Sequence, residues 1–438
     1  MGIILSFIYT LIFIYIIYKL PFYKVEGFYK KHIIYIFLLK ISAGFLLYLI
    51  YTYYYTDRKT ADIFRYFDDS QILHNALFSK PLDYIQMLTG IGNDSEYFNI
   101  YYKAMNNWFR IYESNIYNDS HTIIRFNAFV RLFSFGHYSV HTIFICFLSL
   151  TGLVALYKFL AEYFINKKTL LFIGVFLMPS VVFWGSGVLK EGLLLFAMGM
   201  LLYGIKNIYY KQFNWFQICL TICSLILLFF IKFYILLTLI PLILSYFITL
   251  KAGKKYTEII YFSVLTIFGL IAFNIHYIFP GYNFLEILVN KQKDFINLAI
   301  YMNSGSLIES SFLKADFISL LYNCPKAFLT TLFRPFLFES FSPFYLLAGF
   351  ENFLLIILGL SSIFFIKIKE INRNILYFSL FFVLITFTLT GLITPVLGSI
   401  VRYKIPALPY LVVLFGSLIN INKISAIKNL TFKQKDKV

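Results

Sequence analysis

Charge is scarce in this chain. Asp, Glu, Lys and Arg make up 13% of its 438 residues, about half the share of a soluble globular domain, which excludes a water-soluble fold of ordinary composition. Cysteine is scarcer still. Cys146, Cys219, Cys223 and Cys324 contain no CxxC pair, so neither a disulfide framework nor a zinc site is written in their spacing. Cys219 and Cys223 fall one helical turn apart in an apolar run, which suits small hydrophobic packing. His74, His121 and His137 are scattered without ligand spacing, and His276 reads as interfacial. Gly-rich phosphate loops, heptads and clear repeats are missing, as are the charged n-region and small-residue cleavage site of a signal peptide.

What the chain has in abundance is apolar length. It is 60% hydrophobic and 21% aromatic, with a mean hydropathy of +0.76. Its apolar runs repeatedly reach the ~20 residues that cross a bilayer. The predicted fold class is therefore all-α: a polytopic integral membrane protein, one membrane-embedded domain over 1–438 with about eleven transmembrane helices. The spans fall near 2–20, 33–55, 139–164, 169–188, 190–208, 213–231, 233–250, 257–279, 343–366, 373–393 and 404–421. A net charge of +17 would suit nucleic acid if it formed a groove. The basic residues instead sit in short clusters between apolar runs, the positive-inside pattern, so no nucleic-acid partner is expected. Lys24, Lys30 and Lys31; Lys167 and Lys168; Lys206 and Lys211; Lys251, Lys254 and Lys255; Lys367, Lys369 and Arg373; and the tail from Lys423 to Lys437 alternate as cytoplasmic segments. That alternation predicts the N-terminus outside and the C-terminus inside.

Two long loops then fall outside, 56–138 and 280–342. The first is aromatic-rich and too long for a plain connector. Its part from His121 to Phe135 has apolar residues at helical spacing and reads as an amphipathic helix on the membrane surface. In the second, Phe317–Leu321 and Phe328–Phe338 read as short interfacial helices interrupted by Pro325 and Pro335. Arginines on the outside oppose the topology rule and need another reason. Arg125, Arg131, Arg334 and Arg402 are the candidates, and a guanidinium is suited to bidentate pairing with phosphate or carboxylate. Asp68-Asp69 is the candidate catalytic pair, either as general base on an acceptor hydroxyl or as ligands of a divalent cation, Mg or Mn. Ordinary solvation of a loop explains the same two residues more simply, and Asp62 is an equally placed substitute.

The stretch Pro179-Ser-Val-Val-Phe-Trp-Gly-Ser-Gly-Val-Leu-Lys-Glu-Gly192 interrupts a long apolar run. Irregular backbone at membrane depth requires a protein or water cover, and ionisable groups there are functional candidates. Lys190 and Glu191 are thus either catalytic or merely wetted at a hairpin. Lys190 or Arg402 would balance the charge of a departing diphosphate.

An acidic pair in the first large external loop, surface helices after it and many spans resemble the GT-C type of membrane glycosyltransferase. Phe183–Glu191 and Val401-Arg-Tyr-Lys-Ile-Pro406 are similar to segments of proteins from bacterial surface-polysaccharide clusters, with O-antigen polymerases of the Wzy kind the nearest named group. The resemblance implies a multi-pass enzyme of the bacterial cytoplasmic membrane. Its partners would be a polyprenyl-phosphate or polyprenyl-diphosphate sugar or oligosaccharide and the membrane lipid itself. Wzy-like families lean on outer-face arginines, whereas GT-C enzymes carry their acidic residue after the first span; Asp68 and Asp69 follow the second. A transporter or flippase, or a non-catalytic scaffold, would also account for the spans.

Overall fold

The computed structural model describes residues 1–109, 117–301, 304–309, 311–339, 341–366 and 371–420. Lys367, Lys369 and the tail from Lys423 to Lys437 lie outside the described residues. Among the described residues the protein is all-helical, with only two isolated β-bridges, Leu307 to Val396 and Ile366 to Ile419. Nine of the described helices are long and apolar enough to cross a membrane. The runs read at 169–188 and 213–231 hold shorter apolar helices, Lys168–Leu177 and Trp215–Ile231.

The N-terminal half contains α1 (Gly2–Lys19), α2 (Lys30–Tyr53), α3 (Asp62–Ser79), α4 (Pro81–Thr89), α5 (Asn99–Tyr102), α6 (Ser120–Ser134) and α7 (Tyr138–Leu160). Then come α8 (Lys168–Phe172), a π-helical turn at Ile173–Leu177, α9 (Pro179–Trp184), α10 (Lys190–Tyr209), α11 (Trp215–Ile231), α12 (Phe233–Ala252) and α13 (Thr257–Asn274). The remainder is α14 (Phe284–Tyr301), α15 (Phe317–Phe333), α16 (Pro343–Phe364), α17 (Arg373–Ile393), α18 (Leu397–Tyr403) and α19 (Leu408–Leu418). The chain divides into two compact units, 1–159 with 180–236, and 160–179 with 237–438.

In the first unit, the region 56–138 is a packed layer of helices. Pro81 opens α4 and Gly90, at φ +77, closes it, because proline suits the first helical turn and glycine the left-handed position after the last. The expected helix from His121 to Phe135 is α6, and it ends where Phe135 and Gly136 turn left-handed. Its buried stripe includes Ile123, Ile124, Asn127, Ala128 and Arg131. The acidic pair therefore sits on a helix, α3, not on a loop. Aromatic stacking joins α1 to α7, with the rings of Phe13 and Phe147 4.2 Å apart.

The break at 179–192 is also in this unit from Ser180 onward. Met178 is extended, α9 has six residues, and α10 starts only at Lys190. Every residue from Ser180 to Leu195 is buried, so the irregular backbone has the protein cover that membrane depth demands. Glycine makes that cover possible. A Cβ at Gly44 of α2 would come 2.6 Å from the carbonyl oxygen of Ser186. A Cβ on Gly199 of α10 would fall on the Gly152 backbone of α7, and a Cβ on Gly152 would fall on the backbone of Leu195 and Phe196 in α10. Apolar side chains cannot drive helices together in lipid, so close approach through small residues is the usual solution.

In the second unit, Tyr261 on α13 donates to Asn374 Oδ1 of α17 at 2.8 Å, and Asn374 Nδ2 donates to the carbonyl of Tyr246 on α12 at 3.0 Å. Lys167 donates to the carbonyls of Gly416 and Ser417 at the end of α19, where a helix dipole favours a cation. Leu288, Leu313, Leu320, Ala327 and Leu392 form a core that holds α14 and α15 against α17. One expectation is corrected here. Pro325 does not interrupt the second loop's helix; α15 runs through it from Phe317 to Phe333. The stripe Leu320, Asn323, Ala327 and Thr331 is buried, and packing of that face outweighs the hydrogen bond that proline removes. The last apolar crossing also begins earlier than expected, at Leu397, so Arg402 lies within it and not before it.

Filling the glycine contact should separate α7 from α10. Gly152→Leu is expected to cost ~3 kcal/mol or more, because the obstruction is backbone and cannot rotate away. Its melting temperature in detergent should fall well below that of Gly269→Leu, where nothing lies within 4 Å of the added Cβ; equal melting would contradict the packing.

Candidate functional site

Asp68, Asp69, Arg125, Arg131, Lys190 and Glu191 all lie in the first unit. Asp68 accepts from Arg58 Nε at 2.8 Å and Nη2 at 2.6 Å. Their side chains are 36% and 52% exposed, so this is a solvated surface pair of small energetic weight. Asp69 is buried and accepts from the backbone N–H groups of Asn106 and Asn107, both at 2.8 Å. Burial raises its carboxyl above the ordinary range, against the two amides and Arg65. The stability this group contributes is therefore largest at low pH and is lost as pH rises through the raised value.

The two arginines of α6 are turned inward. Arg131 is buried, donates from Nε to Ser70 Oγ at 2.8 Å and from Nη2 to the Phe67 carbonyl at 2.7 Å, and stacks on the Phe67 ring. Burial lowers it to about 10. Arg125 donates to the Met87 carbonyl at 2.8 Å near the end of α4 and to the Tyr117 hydroxyl at 3.1 Å. Arg125 thus fastens α6 to the last turn of α4, and Arg131 fastens it to the body of α3.

Lys190 is nearly buried and donates to Asp119 Oδ1 at 2.8 Å, with its ammonium 5.4 Å from the Tyr66 ring centroid. Glu191 is buried in the first turn of α10, where an acidic group meets the positive end of the helix. Neither lies wetted at a hairpin. Sequence reasoning missed Asp119 as the partner because the two are 71 residues apart.

It also missed two buried groups of this unit. Lys40, in the middle of α2, is fully buried, and its Nζ has no hydrogen-bond partner among the described residues. That ammonium lies 3.2 Å from where a Cβ on Gly185 would stand, beside the end of α9. His141 is held between Ser134 Oγ at 2.7 Å and Asn127 Oδ1 at 2.8 Å, all three buried. The amide oxygen calls for the proton on Nδ1, so Nε2 accepts from the serine. The order resembles a nucleophile, base and orienter, but its complete burial makes it a polar bolt between α6 and α7.

In the second unit the polar groups converge more tightly. Lys404 is buried and donates to Asn352 Oδ1 at 2.6 Å, with Glu351 its charged neighbour. Asn352 Nδ2 donates to the carbonyls of Phe333 at 3.3 Å and Pro335 at 2.9 Å, the two residues that flank Arg334. Arg334 in turn donates from Nε, at 2.7 Å, and from Nη2 to Glu339 Oε1. The other oxygen, Oε2, accepts from the backbone N–H of Phe336 at 2.9 Å. Arg334, Phe336, Leu337, Phe338 and Glu339 line a concavity of about 730 Å³. Arg402 is half-buried on α18, two residues before Lys404. One signal would have found Lys40, Glu351 and Lys404 in the sequence: each is an ionisable residue inside an apolar run, which membrane burial makes expensive.

No three His, Cys, Asp or Glu side chains converge on a metal position among the described residues. Asp68 and Asp69 already accept from a guanidinium and two amides, a donor set that fits a structural clamp and not the ligand shell of Mg or Mn. Cys219 and Cys223 face outward from α11 and do not pack inside.

Asp69→Ala should leave two amides without acceptors and destabilise the protein by ~3 kcal/mol, read as thermal melting in detergent. Asp68→Ala should change it by less than ~1 kcal/mol. Acidification toward the ordinary carboxylate range should raise the melting temperature of wild type relative to Asp69→Asn, since only the carboxyl can take up the proton; a fall would reverse the assigned direction. No family model, curated protein or solved structure matches this chain.

Proposed function

We propose that this protein is a membrane glycosyltransferase or polymerase of surface-polysaccharide synthesis, taking sugar units from a polyprenyl-phosphate or polyprenyl-diphosphate carrier at the outer face of the bacterial cytoplasmic membrane. The observation that carries this reading is the Arg334 concavity, where a guanidinium fork and a backbone N–H converge on one carboxylate. That is the donor geometry that a phosphate group selects. In the reaction, the bond between the sugar's anomeric carbon and the carrier phosphate breaks with its electron pair going to the phosphate. The acceptor hydroxyl oxygen bonds to that carbon, and its proton passes to a carboxylate. Arg334 stabilises the charge that develops on the leaving phosphate. Glu339, the carboxylate in the same concavity, is the proton acceptor we assign once the ligand phosphate has taken its place on Arg334.

The topology behind this reading has eleven crossings, with the N-terminus outside and the C-terminus inside. The nine long helices, with the two shorter apolar ones Lys168–Leu177 and Trp215–Ile231, are compatible with that count, and the lysine clusters support the orientation. In a variant with the four native cysteines replaced, Gly281→Cys should react with a membrane-impermeant thiol reagent on intact cells. Lys254→Cys should react only after permeabilisation. The reverse pattern would invert the topology and remove the outer-face reading.

Transfer itself is tested in a strain that depends on this protein, with its surface polysaccharide resolved as a size ladder. At equal membrane expression, Arg334→Ala should lower polymer output by about 10²- to 10³-fold, and Arg334→Lys should restore only part of it, since lysine cannot offer the fork. Arg373→Ala, which breaks an exposed pair with Glu258, should leave the ladder unchanged. A normal ladder with Arg334→Ala would sink the assignment. A transporter is the second reading, favoured by Lys40 deep in α2 beside the broken segment after α9, since charges and broken helices at depth mark transport sites. Its signature would be loss of all export in Lys40→Leu, with lipid-linked units retained on the inner leaflet.

A further inference from the structure

We infer that Glu339 occupies, in the resting protein, the anion site that a phosphate-bearing ligand uses, and that binding requires the ligand to displace it. The inference rests on the reading of Arg334 as a phosphate-binding residue.

Three observations carry it. The Glu339 carboxylate takes three donor groups at once. Nε and Nη2 of Arg334 meet Oε1, and the N–H of Phe336 meets Oε2. A planar anion held by a guanidinium fork and a backbone amide is a small copy of a bound phosphate. Secondly, the site is reachable and the surrogate is tethered. The Arg334 side chain is 31% exposed and that of Glu339 15%, and five residues separate them in sequence, so the carboxylate can swing aside by loop rotation alone.

The third observation separates this arrangement from an ion pair that merely shapes a loop. The donors are fixed from behind, without Glu339. Asn352 ties the carbonyls of Phe333 and Pro335 on either side of Arg334, and buried Lys404 fixes Asn352. The Phe336 carbonyl rests on Gly349, where a Cβ would come within 2.8 Å. Removing the carboxylate therefore leaves a preformed anion site. A tethered competitor lowers the apparent affinity of any ligand by the fraction of time the site stands open. A monoanion gains little by exchanging one carboxylate for itself, whereas a diphosphate brings more charge and more acceptor oxygens. The device thus favours diphosphate over simple carboxylates and monophosphates.

The experiment is calorimetric titration of the purified full-length chain in detergent with inorganic diphosphate at fixed salt, alongside thermal melting of each variant. Glu339→Gln is expected to tighten diphosphate binding by about tenfold, and Glu339→Ala to do the same if its melting temperature shows it folded. Arg334→Ala should abolish binding in both backgrounds. Unchanged or weaker binding by Glu339→Gln overturns the inference, and a large drop in its melting temperature would then identify a structural ion pair. Wild-type binding by Arg334→Ala also overturns it. The polysaccharide ladder keeps this test separate from the proposed function. Loss of the ladder in Arg334→Ala without tightening in Glu339→Gln removes only the surrogate, and tightening with a normal ladder in Arg334→Ala removes only the transferase.

Discussion

Inside a bilayer a polar group has no water to fall back on, and the interruption between α8 and α10 makes that constraint acute. Three changes of backbone geometry occur within about one crossing: a π-helical turn, an extended Met178 and the irregular residues after Trp184. Each frees carbonyls and amides that only protein can cover. Glycines at 44, 185, 187 and 192 let neighbouring backbone and side chains close over the segment, and Cys146 reaches the Ser186 carbonyl at 3.4 Å. The first unit is arranged around keeping the part of this stretch from Ser180 onward dry.

The same rule explains why the 56–138 layer spends its charges as it does. Arg125, Arg131 and Asp69 meet backbone groups, and Lys190 meets Asp119. Arginine suits such a layer because a guanidinium can satisfy several carbonyls and hydroxyls from one buried position. The second unit uses the same chemistry in series. A lysine fixes an asparagine, the asparagine fixes a loop, and the loop presents an arginine to a cavity.

Much of the architecture was legible because apolar length is a local property. The spans at 33–55, 139–164 and 373–393 match α2, α7 and α17 to within a few residues, and the amphipathic spacing after His121 marked α6. Misreadings came where a distant partner decided the outcome. Pro325 argues locally for a break, and the packed face of α15 overrules it. Asp69 looks catalytic beside Asp68, yet its role is set by amides 37 residues on. The Asn352–Lys404 contact spans 52 residues, and nothing in either neighbourhood announces it. Lys40 was readable in principle, as a lone cation in an apolar run; its surroundings were not.

Lys40 also constrains how the protein is made. As α2 enters the membrane its ammonium disfavours insertion by ~2.5–3.5 kcal/mol. The segments that will enclose it, around Cys146 and Gly185, are not yet synthesised. At ribosomal rates of 5–20 residues per second, the roughly 145 residues to Gly185 take about 7 to 30 s. Throughout that interval α2 must be sheltered by the insertion machinery, or hold its lysine at the headgroups and settle to its final depth later. The order of translation is thus part of how this bundle assembles, and a chain cut before Gly185 would leave α2 with a charge and no place to put it.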